Sequence, residues 1–76
     1  MIPKKRYLVV TFYTTAAAMA AEKRAKEENA AGKLISVPRN LTAECGLAWR
    51  GEVSERAMLE ALFHGLDVEE FRELEL

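Results

Sequence analysis

The one thiol of this chain, Cys45, stands in the run Pro38-Arg39-Asn40-Leu41-Thr42-Ala43-Glu44-Cys45-Gly46-Leu47, between two apolar segments that read as strands. The thiolate is the nucleophilic form of cysteine, so reactivity there requires nearby positive charge, amide dipoles and access. Arg39 and Arg50 flank the loop from the two strand ends. Gly46 lets the backbone approach closely or take positive φ, which would turn amides toward the sulfur. Glu44 opposes them, because an adjacent carboxylate disfavours charge on the sulfur. With no second cysteine and a single histidine, the chain has neither an internal disulfide nor the ligand cluster of a zinc or iron site. A single thiol can accept and donate an atom by exchange between molecules, but it cannot run a dithiol redox cycle. The competing reading is packing, since free cysteine behaves as a small, often buried hydrophobe.

The elements that must position Cys45 follow from pattern. Tyr7 to Tyr13 is rich in β-branched and aromatic residues and reads as a first strand. Thr14 or Thr15 can cap a helix from about Ala16 to Glu28, with Ala18, Ala21 and Ala25 on its buried face. Asn29 to Gly32 ends that helix, and Lys33 to Val37 is a second strand stopped by Pro38. After the Cys loop, Leu47 to Arg50 is a short third strand closed by Gly51. Ser54 can cap a second helix from about Glu55 to His64, with Ala57, Met58, Ala61 and Leu62 inward and Gly65 as its stop. In Asp67 to Leu76 the alternation slips between Phe71 and Leu74, as a bulged or edge strand would require. The order βαββαβ predicts an α+β, ferredoxin-like split βαβ fold in one domain, residues 1–76: an antiparallel sheet with both helices on one face. The other face would then carry Tyr7, Val9, Thr11 and Tyr13 and need covering, by a homodimer or by another partner.

Seventy-six residues make a domain near the lower limit for a self-sufficient core, and half of them are apolar, as in a folded globule. The basic start, Met1 to Arg6, leads into a strand and not a signal peptide, and no stretch reaches the roughly 20 apolar residues of a membrane span. A free thiol without an export signal points to the cytoplasm. Residues 1–39 hold eight Lys/Arg against three Asp/Glu, and residues 40–76 hold three against nine, a division that favours docking of the two halves on each other or, alternatively, forms a basic patch for nucleic acid or acidic partners. The net charge of −1 and a third strand without the Gly/aromatic pattern of RNA-recognition domains argue against nucleic acid. His64 fits the C-terminus of the second helix, where an imidazolium would meet the dipole. Trp49 reads as core or open-face packing, and Met58 as core.

Tyr7-Leu8-Val9-Val10-Thr11-Phe12, Thr14-Thr15, Ala21-Glu22-Lys23, Val37-Pro38-Arg39 and Cys45-Gly46-Leu47-Ala48, taken together, resemble the selenium/sulfur carrier protein-like family of small bacterial domains. The most specific part is the Pro-Arg, short loop, Cys-Gly spacing. The resemblance implies a carrier that holds a sulfur or selenium atom on Cys45 as a persulfide or selenopersulfide, with Arg39 stabilising the anion and Gly46 opening access. It implies a protein donor of desulfurase type, a protein acceptor, no cofactor and no catalytic turnover of its own. Thr42-Ala43-Glu44 departs from the small polar residues that precede the family's cysteine. The alternative is a dimeric binding or regulatory module in which Cys45 is structural, a reading that rests on fold analogy.

Overall fold

The computed structural model describes residues 4–39, 41 and 43–76. The first three residues of the basic start, and Asn40 and Thr42 of the Cys loop, lie outside the described residues. The order of elements is β1 (Arg6–Phe12), α1 (Thr15–Glu27), β2 (Gly32–Ser36), β3 (Leu47–Glu52), a 3-10 turn (Val53–Glu55), α2 (Arg56–Leu62) and β4 (Val68–Glu75). The strands form one sheet in the order β2-β3-β1-β4, every neighbouring pair antiparallel. The expected α+β architecture, a four-stranded antiparallel sheet with two helices, is therefore present. Neither helix is long and apolar enough to cross a membrane.

β1 occupies the interior of the sheet because both sides of it are apolar. Leu8, Val10 and Phe12 face the helices, while Val9 and Thr11 face away, and all five are buried. α1 is built from alanine, the best helix former. Its N-cap Thr14 is extended at φ −135° and accepts the amide of Ala17 at 3.0 Å, and Asn29 terminates it with φ 55°. Ala17, Ala18, Ala21 and Ala25 are buried against the sheet, and side chains this small let the helix axis lie close.

The second half departs from expectation in four places. β3 continues through Gly51 instead of stopping there. A Cβ on Gly51 would meet Leu59 Cδ1 at 2.9 Å and Trp49 Nε1 at 3.1 Å, so glycine leaves room for the helix above the strand. Ser54 caps nothing: the chain enters α2 through the 3-10 turn, and no side chain caps either segment. The inward residues of this region are Leu59, Phe63 and, in part, Leu62, whereas Ala57, Met58 and Ala61 are exposed. Phe63 meets Trp49 edge-on at 6.4 Å and Phe12 at 6.0 Å, and these large rings took the core positions. In β4 the register shift lies where Thr11 and Phe12 face Glu70 and Val68, ahead of the Phe71–Leu74 stretch.

His64 does not close α2. Its side chain is exposed, and the carbonyls of Leu62 and His64 are both met at 3.0 Å by one guanidinium nitrogen of Arg24, from α1. The two halves of the chain do dock through opposite charges, by Lys5 on Glu52 at 2.9 Å and Arg6 on Glu73 at 3.2 Å.

Candidate functional site

Cys45 lies at the end of the sheet where β1 finishes, β3 begins and α1 starts. Among the described residues, three hydrogen bonds made by its backbone tie the segment to neighbouring elements. The Cys45 amide donates to Phe12 O at 3.2 Å, the Val37 amide to Gly46 O at 3.0 Å, and the Glu44 amide to Glu69 Oε1 at 3.2 Å. The segment is thus attached to β1, to the end of β2 and to β4 on either side of the thiol.

The sulfur belongs to the helix side of the sheet and joins the core cluster with Phe12 and Ala17. Residue Cys45 is only 4% exposed, while Glu44 and Gly46 on both sides are exposed, so the thiol lies just beneath the surface. Its Sγ accepts the Leu47 amide at 3.4 Å and stands 3.7 Å from Oγ1 of Thr15, the first residue of α1. The sulfur thus has an amide donor and a hydroxyl as polar neighbours and stands beside the first turn of a 13-residue helix.

The flanking residues behave differently from expectation. Arg50 is not at the thiol: its guanidinium stacks over the Tyr7 ring, 4.7 Å from the centroid, on the sheet face opposite the helices. Gly46 does not take positive φ, which among the described residues is confined to Asn29, Gly32 and Gly65, and a Cβ built on it meets nothing within 4 Å. Arg39 is exposed and makes no ion pair among the described residues. Thr15 and the Leu47 amide were not legible as sulfur partners. The paired Thr14-Thr15 is a capping signal, and only the fold brings its second member to the loop.

Two cations are held above their usual range, Lys5 by its hydrogen bond to Glu52 and Arg56 by its hydrogen bond to Glu60. Both stand at the other end of the sheet, since Glu52 pairs with Tyr7 and the Arg56 partner Glu73 with Leu8.

A family model described as "Putative Se/S carrier protein-like" matches residues 7–72, which include Cys45 and nearly every element of the fold. No curated protein and no solved structure matches the chain.

Proposed function

The chain belongs to the Se/S carrier protein-like family, and from that premise we propose that Cys45 carries a sulfur or selenium atom between a donor and an acceptor protein. The observation that supports this reading is the setting of Sγ on the first turn of α1, with Leu47 N–H and Thr15 Oγ1 as its polar neighbours. In the transfer, the Cys45 thiolate attacks the outer sulfur of a donor persulfide. The new S–S bond forms as the donor's S–S bond breaks, and the donor leaves as a thiolate. Cys45 then holds a persulfide anion, with no net oxidant consumed. Delivery repeats the exchange on the acceptor's thiol, and selenium follows the same balance.

The donor is a desulfurase-type protein and the acceptor an enzyme that consumes the atom, so the carrier has no turnover of its own. Arg39, exposed on the loop, supplies a guanidinium to the persulfide anion, and Gly46 keeps the approach free of a side chain. The thiol is buried at rest, so the donor gains access when the Glu44–Gly46 segment moves outward. The accompanying fold reading is ferredoxin-like, supported by the order βαββαβ and by α1 joining β1 to β2 with β3 between them. A cytoplasmic, bacterial setting goes with the same reading.

Burial of Cys45 favours the second reading, in which the thiol is packing and the domain is a binding module. One experiment separates the two. Reduced protein is incubated with a cysteine desulfurase and cysteine, and its intact mass is taken before and after reductant, with Cys45→Ser in parallel. A reductant-sensitive gain of one sulfur atom on the wild type alone supports the carrier. An unchanged mass, with the desulfurase shown to be active, rejects it.

A further inference from the structure

The sheet face away from the helices carries a line of cations. Cross-strand register places Lys33 opposite Arg50, Arg50 opposite Val9 and Val9 opposite Arg72, so one row reads Lys33, Arg50, Val9, Arg72 across all four strands. We propose that this row is the docking surface for an acidic segment of a partner protein. The inference stands apart from the chemistry of Cys45, which lies on the helix side.

Like charges directly opposite on neighbouring strands destabilise a sheet, and Lys33 and Arg50 are such a pair. Neither has a carboxylate partner among the described residues, and the Arg50 Nε is buried without an acceptor. Arg72 has only an exposed contact of 3.7 Å with Glu70. Of the carboxylates on this face, Glu52 is taken by Lys5 and Glu70 lies 3.7 Å from Arg72, so Lys33 and Arg50 are left without one, and carboxylates from outside would meet the row at its exposed residues, Lys33 and Arg72.

The other occupants fit less well. A second copy seated on the same face would meet it through the same patch and bring the cation row toward its own image. Single-stranded nucleic acid needs free aromatic faces, but the row holds no aromatic residue: the Tyr7 ring beside it is already engaged by Arg50 and, at 5.3 Å, by Lys5, and exposed Tyr13 lies past the end of β1. Three interstrand steps span about 14 Å, the length of roughly four extended residues, so a short acidic stretch of chain covers the row where one small anion would not.

The test is an amide NMR titration of isotopically labelled protein at low ionic strength with poly-L-glutamate, and in a parallel arm with single-stranded oligothymidylate. With the peptide, the amides of Lys33, Arg50, Val9 and Arg72 should shift, the affinity should fall with added salt, and Lys33→Glu with Arg72→Glu should weaken it by roughly ten-fold or more. Lys23→Glu with Lys26→Glu, on the outer side of α1, should leave it unchanged. Shifts centred on α1, no shifts at all, or equal affinity in the Lys33/Arg72 variant would overturn the proposal. Tighter binding of oligothymidylate on the same face would overturn it in favour of nucleic acid. A dimer in light scattering that the same variant dissolves would overturn it in favour of self-association.

Discussion

Two glycines that look alike in the sequence have opposite tolerance for a side chain. Gly46→Ala adds a methyl where nothing lies within 4 Å and should change stability by less than about 0.5 kcal/mol, measured by urea denaturation. Gly51→Ala forces a methyl against Leu59 and Trp49 and should cost about 1–3 kcal/mol in the same measurement. A Gly46→Ala variant that folds normally but fails in sulfur transfer would assign the glycine to partner approach. Cys45 stands out in the sequence as the only thiol. Its actual partners do not, because Leu47 N–H and Thr15 Oγ1 reach the sulfur from the start of β3 and from a helix 30 positions earlier. Arg50, adjacent to the loop in the chain, ends on the other side of the sheet because strand alternation directs it there.

At the scale of elements, α1 is determined by local signals and α2 by its surroundings. Thr14, the alanine run and Asn29 define α1 without help from the rest of the fold, and the observed bounds are within one residue of those expected. Thr14→Ala should therefore destabilise the protein by about 1 kcal/mol, read from the urea midpoint at unchanged slope. α2 has seven residues and no side-chain cap, so its last carbonyls depend on Arg24. Arg24→Met keeps much of the aliphatic stem and removes both hydrogen bonds. It should cost about 1–3 kcal/mol and raise hydrogen exchange first in α2, while the equivalent change at exposed Lys23 should cost little. The inward stripe of α2 was misread because Ala57, Met58 and Ala61 fit a helical period as well as Leu59 and Phe63 do. Only the positions of Trp49 and Phe12 decide which set is buried.

For the whole molecule, the helix-free face is less bare than alternation alone suggests. Val9, Thr11 and Ala48 are essentially inaccessible within the single chain, Val9 being flanked in its row by Arg50 and Arg72, whose long stems can cover apolar surface. The apolar centre thus gives no reason for a covering subunit, and what the face offers outward is charge. The same compactness governs the thiol. Cys45 in the native protein should react with a thiol reagent far more slowly than in urea, and destabilising variants such as Gly51→Ala should raise the rate if access requires opening of the structure. A native rate equal to the denatured one would mean that the sulfur is open at rest. The sequence by itself determined the βαββαβ order, the α1 cap and stop, the burial of β1 and the singular position of Cys45, because each depends on residue type and near-neighbour spacing. The tertiary structure alone decided what touches the sulfur, which side of α2 faces inward and that three distant cations form one row. Those facts depend on strand order and register, which join residues far apart in the chain.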